Sequence, residues 1–442
     1  MKNFRYPGLR TFDASEGDRF YGREEDTSQI LKKIQLHNTI VLLGKSGLGK
    51  SSILTTRIIP ILNGEFQYTD IPEDLTKKIA IPVRLHTYTP ERHIYPLGIL
   101  DQILTEWDNA PTFLNDIEPG DPGFWEHCKN ILLLNPGKTG IVLVFDQFEE
   151  LFTYPKEGIE FFAEVIADLL NHRMPAGFRQ CLMRQLRNAP DSLSEEQLQV
   201  IYDDTDVRII FAIREDRLSD LNQLAGRIPD IQRYFYNLTP LSRPQATEAI
   251  VKPAVLESPQ LLSAPFIYTP SALDRILTYL SKDNTQPIET FQLQLICQYI
   301  EQELIIKQKK IQIEANDLHN LDSIFKVYYD RILNQIPTPK IRRAVQNLIE
   351  ERLILDGENR RLSLYEGQIV QQLKVPAETL IYLVNQRLLR AEPDNRGGYL
   401  YELSHDVMIA PIAEFRDKRR ASEVWKKRAL TVASIASLLT IM

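Results

Sequence analysis

Residues Gly44–Ser51 read GKSGLGKS: a glycine, four residues, then glycine, lysine and serine. That spacing suits phosphate chemistry. Glycines let backbone N–H groups close around phosphate oxygens, and a helix N-terminus behind them stabilises the charge. Lys50 offsets charge on the β- and γ-phosphates, and Ser51 ligates Mg²⁺. The candidate nucleotide-binding residues here are Gly44, Ser46, Gly47, Gly49, Lys50, Ser51 and Ser52, with ATP or ADP and Mg²⁺ as the implied ligands. The competing reading is a glycine-rich strand-to-helix turn with an incidental lysine.

The run IVLVFDQFEEL ends an apolar pattern on Asp146, where a carboxylate is costly unless it serves a cation. Asp146 thereby joins Ser51 as a candidate metal ligand. Glu149 and Glu150 follow, and either could polarise an attacking water as general base, Glu149 ahead of Glu150. The alternative is an acid pair that merely begins a helix, where its charge suits the dipole. A further apolar run ends FAIRED and sets Arg214 at the sheet's C-terminal edge, where ligands of open α/β sheets bind. Arg214 could sense a γ-phosphate there or pair with Glu215 or Asp216. Lys50, Glu149, Glu150 and Arg214 form the candidate catalytic set.

These residues need a sheet to hold them. Strand-like Ile/Val/Leu runs lie at 39–44, 79–85, 140–146 and 207–213, with helical patterns at 51–62, 97–107, 125–134 and 158–170. Continuous apolar strands separated by helices imply a parallel sheet covered on both faces. The expected fold class is α/β, a P-loop NTPase with a parallel sheet. The polar stretch 171–206, with its helix SEEQLQVIY, reads as a surface insertion. After Pro240 helical patterns at 243–251, 270–280, 291–306 and 321–333 predict an all-α lid. From Pro339, helices followed by LLRAE and GYLYELS across the turn PDNRGG predict a winged helix. The expected boundaries are 1–36 for an N-terminal flanking segment, 37–240 for the NTPase domain, 241–336 for the lid, 337–413 for the winged helix and 414–442 for a basic tail.

The chain has 442 residues, too many for one core, and near-average apolar and charged content, which excludes disordered, collagenous and polytopic membrane classes. Cys128, Cys181 and Cys297 are far apart, so neither a disulfide framework nor a zinc site is supported. The first seventeen residues lack an apolar signal region, so synthesis is expected to stay on the cytoplasmic side. The formal charge of −7 is uneven, because Glu414 to Arg428 carries seven Lys/Arg against three acids.

In its order of motifs the chain resembles the STAND class of P-loop NTPases, in particular the bacterial novel-STAND group, related to NACHT, NB-ARC and AAA+ ATPases. The resemblance is carried by YPGLRTF and RFYGRE, the P-loop, DQFEELF, FAIRED, YNLTPLSRPQATEAI, IETFQLQLICQ and LSHDVMIAPI. It implies a nucleotide switch, closed with ADP and assembled as a homo-oligomer with ATP, released by a trigger ligand or protein and serving bacterial defence. It implies that Gly22 and Arg23 lie beside the adenine and ribose, that Arg214 is a sensor, and that His405 contacts the β-phosphate. His405 could equally be a packed histidine near the hairpin. The chain departs from the family pattern at Thr11 and Thr290, where prolines are expected, and the second weakens a lid-proline contact to the adenine.

The winged-helix stretch Thr338–Ser404 has ten basic and nine acidic residues, too nearly neutral for a duplex reader, so no direct DNA binding is expected. The basic and aromatic belt before Ala429–Met442 resembles a positive-inside flank. These fourteen uncharged residues would cover about 21 Å as a helix, short of a bilayer core of roughly 30 Å. Either a transmembrane helix continues past the sequence, tethering the protein to the cytoplasmic face of the inner membrane, or the segment is an apolar helix for a partner. The main functional expectation is a slow ATP-hydrolysing switch. The alternatives are an AAA-like DNA-loading or remodelling motor and a scaffold that binds nucleotide only for stability.

Overall fold

Five parallel strands organise the N-terminal half: β1 (Thr39–Gly44), β2 (Lys78–Arg84), β3 (Gly140–Asp146), β4 (Asp206–Arg214) and β5 (Phe235–Asn237), in the spatial order β2-β3-β4-β1-β5. The computed structural model describes residues 3–85, 123–281, 285–319, 321–355, 360–386, 388–393, 398–404 and 408–421. The expected helix at 97–107, His405 and the apolar tail 429–442 lie outside the described residues.

The apolar runs form central strands because both faces are covered. Val41, Leu43, Leu143, Phe145 and Phe211 pack on one side with the helices Gly123–Leu134 and Lys156–Leu170. Ile40, Leu42, Val142, Val144 and Ile210 pack on the other with Glu24–Leu36 and the P-loop helix, which starts at Lys50–Ile53 and passes through a π-helical stretch Leu54–Ile58. β4 separates β3 from β1. The carboxyl ends of β1, β3 and β4 therefore deliver the P-loop, Asp146 and Arg214 to one edge.

Three elements differ from the sequence expectation. β5 is only three residues long and partly exposed, so it shows no apolar run. The stretch 171–206 holds two helices, Ala176–Asn188 and Glu195–Tyr202, and buries Phe178, Leu182, Leu193 and Ile201 against the sheet's core. The lid contains a two-residue parallel pair, Ile267–Tyr268 with Gln312–Ile313, besides its helices.

The lid helices and the elements after Pro339 share one apolar cluster running from Leu241 to Ile412. The C-terminal elements are helices Pro339–Asn347, Glu366–Gln372 and Ala377–Asn385 and a three-stranded antiparallel sheet, in which Tyr399–Leu403 lies between Leu364–Tyr365 and Leu389–Pro393. Tyr6, from the chain's start, is fully buried in this distant cluster. Its neighbour Arg5 is 0% exposed and gives its backbone N–H to Glu301 at 2.9 Å, its Nε to Ser263 Oγ at 2.9 Å and its Nη1 to the Pro253 carbonyl at 2.8 Å. Residues from Phe12 onward pack instead on the sheet. The opening segment thus straps the lid to the NTPase core. Among the described residues, no helix is long and apolar enough to cross a membrane.

Candidate functional site

Gly47 and Gly49 have φ of 87° and 94°, a left-handed conformation that glycine adopts without steric cost. The P-loop turns there and hands the chain to the helix at Lys50. Gly44 closes β1, and its carbonyl accepts from Lys50 Nζ at 2.6 Å. Burial pulls the Lys50 ammonium down from its ordinary value, while the neighbouring Glu149 and Asp146 carboxylates pull it back up. Ser51 Oγ donates to Asp146 Oδ1 at 3.0 Å, and the Gln147 N–H donates to the same oxygen at 3.0 Å. A hydroxyl and a carboxylate so placed are the two hard oxygen donors that Mg²⁺ uses when phosphates and water complete its shell. Ser51 and Asp146 would hold the ion, which would neutralise phosphate charge.

Gln147 has φ of 53°, uncommon for a side chain of its kind. The turn it makes sends the chain into Phe148–Thr153 and brings Glu149 back toward Lys50. Glu149 Oε2 is buried without a hydrogen-bond partner. Burial raises the Glu149 carboxyl above the usual glutamate range, against the pull of Lys50 and Arg214, which suits a general base. Arg214 gives its Nε to Asp216 Oδ1 at 2.9 Å, so the pairing and the cavity-facing position coexist.

A cavity of about 420 Å³ joins these groups. Lys50, Ser51, Asp146, Glu149, Glu150 and Arg214 line one part of it; Ser46, Gly47, Gly49, Ser52 and Arg23 also reach it. Ser52 is tied to the opening segment, accepting the Phe12 N–H at 3.3 Å. Arg23 is 3% exposed and spends its guanidinium on Asp26 at 3.0 Å and on the Thr239 and Leu48 carbonyls at 2.9 and 2.8 Å. Gly22 does not line the cavity; with φ of 84°, it sits where an added Cβ would come within 2.3 Å of the Gln245 carbonyl oxygen. The backbone there packs closely against the lid.

The lid supplies residues not anticipated. Thr290 Oγ1 donates to the Gly47 carbonyl, and Thr290, Phe291, Leu293 and Gln294 line the cavity. Leu9 to Phe12 form another wall. Arg390 faces the cavity from the C-terminal sheet, bonded to Glu402. Ser46 Oγ donates to the Ser404 carbonyl at 3.3 Å. The departure at Thr290 and the motif around residues 6–12 were visible in sequence; their contact with the P-loop was not.

The parallel sheet, the glycine loop leading into a helix, and the Ser51–Asp146 pair define a P-loop ATPase. The chain belongs to the novel STAND NTPase 1 family, whose model matches residues 6–428. No curated protein matches it. Among solved structures, the Aeropyrum pernix ORC1 protein in complex with DNA is similar at 10% identity, covering 89% of this chain and 93% of that one, with a TM-score of 0.43. The Aeropyrum pernix ORC2 protein, in ADPNP–ADP complexes, is 15% identical over 95% of this chain and 98% of its own, with a TM-score of 0.39. The Walker-type ATPase of Pyrococcus abyssi is 14% identical over 91% and 98%, also at 0.39.

Proposed function

We propose that the protein is an ATP/ADP switch in which slow Mg²⁺-dependent hydrolysis resets a conformational and oligomeric equilibrium. One observation carries this reading. The P-loop is held from two sides by elements outside the sheet: Thr290 of the lid bonds Gly47, and Ser404, beyond the lid, bonds Ser46. A nucleotide entering the cavity meets the catalytic edge, the lid and the C-terminal sheet together, so its phosphate count biases their packing. Lys50 and the P-loop amides bind the phosphates, Glu149 takes the proton of the attacking water, and Arg214 stabilises γ-phosphate charge. Mg²⁺ at Ser51 and Asp146 supplies electrostatic stabilisation when bound.

We read the C-terminal helices and sheet as a winged helix that closes over the nucleotide. His405, outside the described residues, keeps the β-phosphate role that the family resemblance implies. ATP would favour a homo-oligomer, and a role in bacterial defence rests on that resemblance alone. Among the described residues no helix is long and apolar enough to cross a membrane, and the switch works without a membrane tether.

The test is the nucleotide extracted from gently purified protein, with the oligomeric state before and after exchange into ATP. Stoichiometric ADP, negligible turnover and ATP-dependent assembly are expected. Continuous turnover stimulated by DNA, without a change in assembly, would overturn the switch in favour of a motor.

A further inference from the structure

Thr290 is the first residue of the helix Thr290–Tyr299, and its bond to Gly47 fixes that end of the helix against the P-loop. Gln294 lies four residues on, on the same helix face and about 6 Å further along the axis. Both line the nucleotide cavity. The cavity lining also includes the apolar Leu241, Ala249, Phe291 and Leu293, the last two on the same helix as Gln294. Gln294 Oε1 is buried and has no hydrogen-bond partner. A buried carbonyl oxygen of this kind is uncommon in a native structure and calls for a donor from outside the chain.

Phosphates held by the P-loop fix one end of a nucleotide, so its base extends away from Lys50, toward the lid. An apolar wall suits the faces of a purine. Gln294 Oε1, a cavity-lining residue's acceptor without a donor, would take an N–H at the ring's edge. We infer that Gln294 selects the base, its Oε1 accepting the exocyclic amine of a 6-aminopurine. A 6-oxopurine carries an acceptor at that position, which Oε1 cannot bond, so it would fit only with the Gln294 amide turned over. The inference rests on the nucleotide reading above and adds to it the residue that reads the purine's 6-amino group.

The test compares binding of ATP and of purine riboside triphosphate, which lacks only the amine, to the full chain by calorimetry. Wild type should prefer ATP about tenfold, the worth of one buried hydrogen bond. Gln294→Met removes the acceptor at similar volume and should bring the ratio near one, with purine riboside triphosphate still bound. Gln294→Glu keeps an acceptor and should retain the preference. An unchanged ratio in Gln294→Met overturns the inference, as does equal weakening of both ligands, which marks a structural role. If wild type binds neither triphosphate and Lys50→Ala makes no difference, the nucleotide reading itself has failed.

Discussion

The hydroxyl of Ser51 and the carboxylate of Asp146 meet at 3.0 Å although their strands are not neighbours. β4 lies between them, so the two ends converge only above the sheet's edge. Removing either oxygen should weaken Mg²⁺-dependent nucleotide binding by about 10- to 100-fold, as for a bond to a charged group. Calorimetry of Ser51→Ala and Asp146→Ala with and without Mg²⁺ checks this, and wild-type behaviour in both would discard the metal assignment.

Glu149→Gln should lower single-turnover hydrolysis by about 10²- to 10⁴-fold, the usual worth of a general base. Glu150→Gln should do much less. Because burial raises the Glu149 carboxyl, the base form accumulates only above the ordinary glutamate range. Hydrolysis should therefore rise with pH through that region, and Glu149→Gln should abolish this limb.

Asp216 is drawn two ways: burial raises its carboxyl, but the bonds and charge of Arg214, with the charge of Arg390, together hold it below the ordinary value. Stability from the pair is present above the unfolded-state pKa and is lost as pH falls through the depressed folded-state value. The Asp216 side chain is 57% exposed, so Asp216→Ala should cost under about 1 kcal/mol. Arg214→Ala should instead slow hydrolysis, and a thermal melt beside a turnover assay separates the two.

Thr290→Val keeps the side chain's shape and removes its bond to the Gly47 carbonyl. ADP should leave the variant several-fold faster, in line with one lost hydrogen bond. Stopped-flow release of a fluorescent ADP analogue measures it; an unchanged rate would detach this contact from nucleotide retention.

Arg5→Ala should destabilise the protein by about 3 kcal/mol or more, because it takes the guanidinium donors from Ser263 Oγ and from the Pro253 and Ser263 carbonyls, leaving several buried acceptors unpaired. Denaturant unfolding gives the value, and a loss under about 1 kcal/mol would contradict the strap.

The P-loop, Asp146, Glu149 and Arg214 were legible in sequence because each follows directly from a strand's end, where local pattern and chemistry coincide. The four long strands were legible for the same reason, since each is a largely apolar run rich in Ile, Val and Leu. β5 was not, because a half-exposed strand of three residues has no periodicity to read. Nor was the helix Ala176–Asn188, which buries only Phe178 and Leu182 among arginines and glutamines. Thr290 stands 243 positions from Gly47, and only packing of the lid brings them together. Gln294 looked like any polar residue on an amphipathic helix; its unpartnered oxygen exists only in three dimensions.

The strap also sets an order of events in time. Arg5 leaves the ribosome well before Glu301, which follows 296 positions later. At typical synthesis rates the interval is on the order of tens of seconds. For that period the sheet can form while Arg5 and Tyr6 have nowhere to go, and the lid core then closes around a segment made well before it.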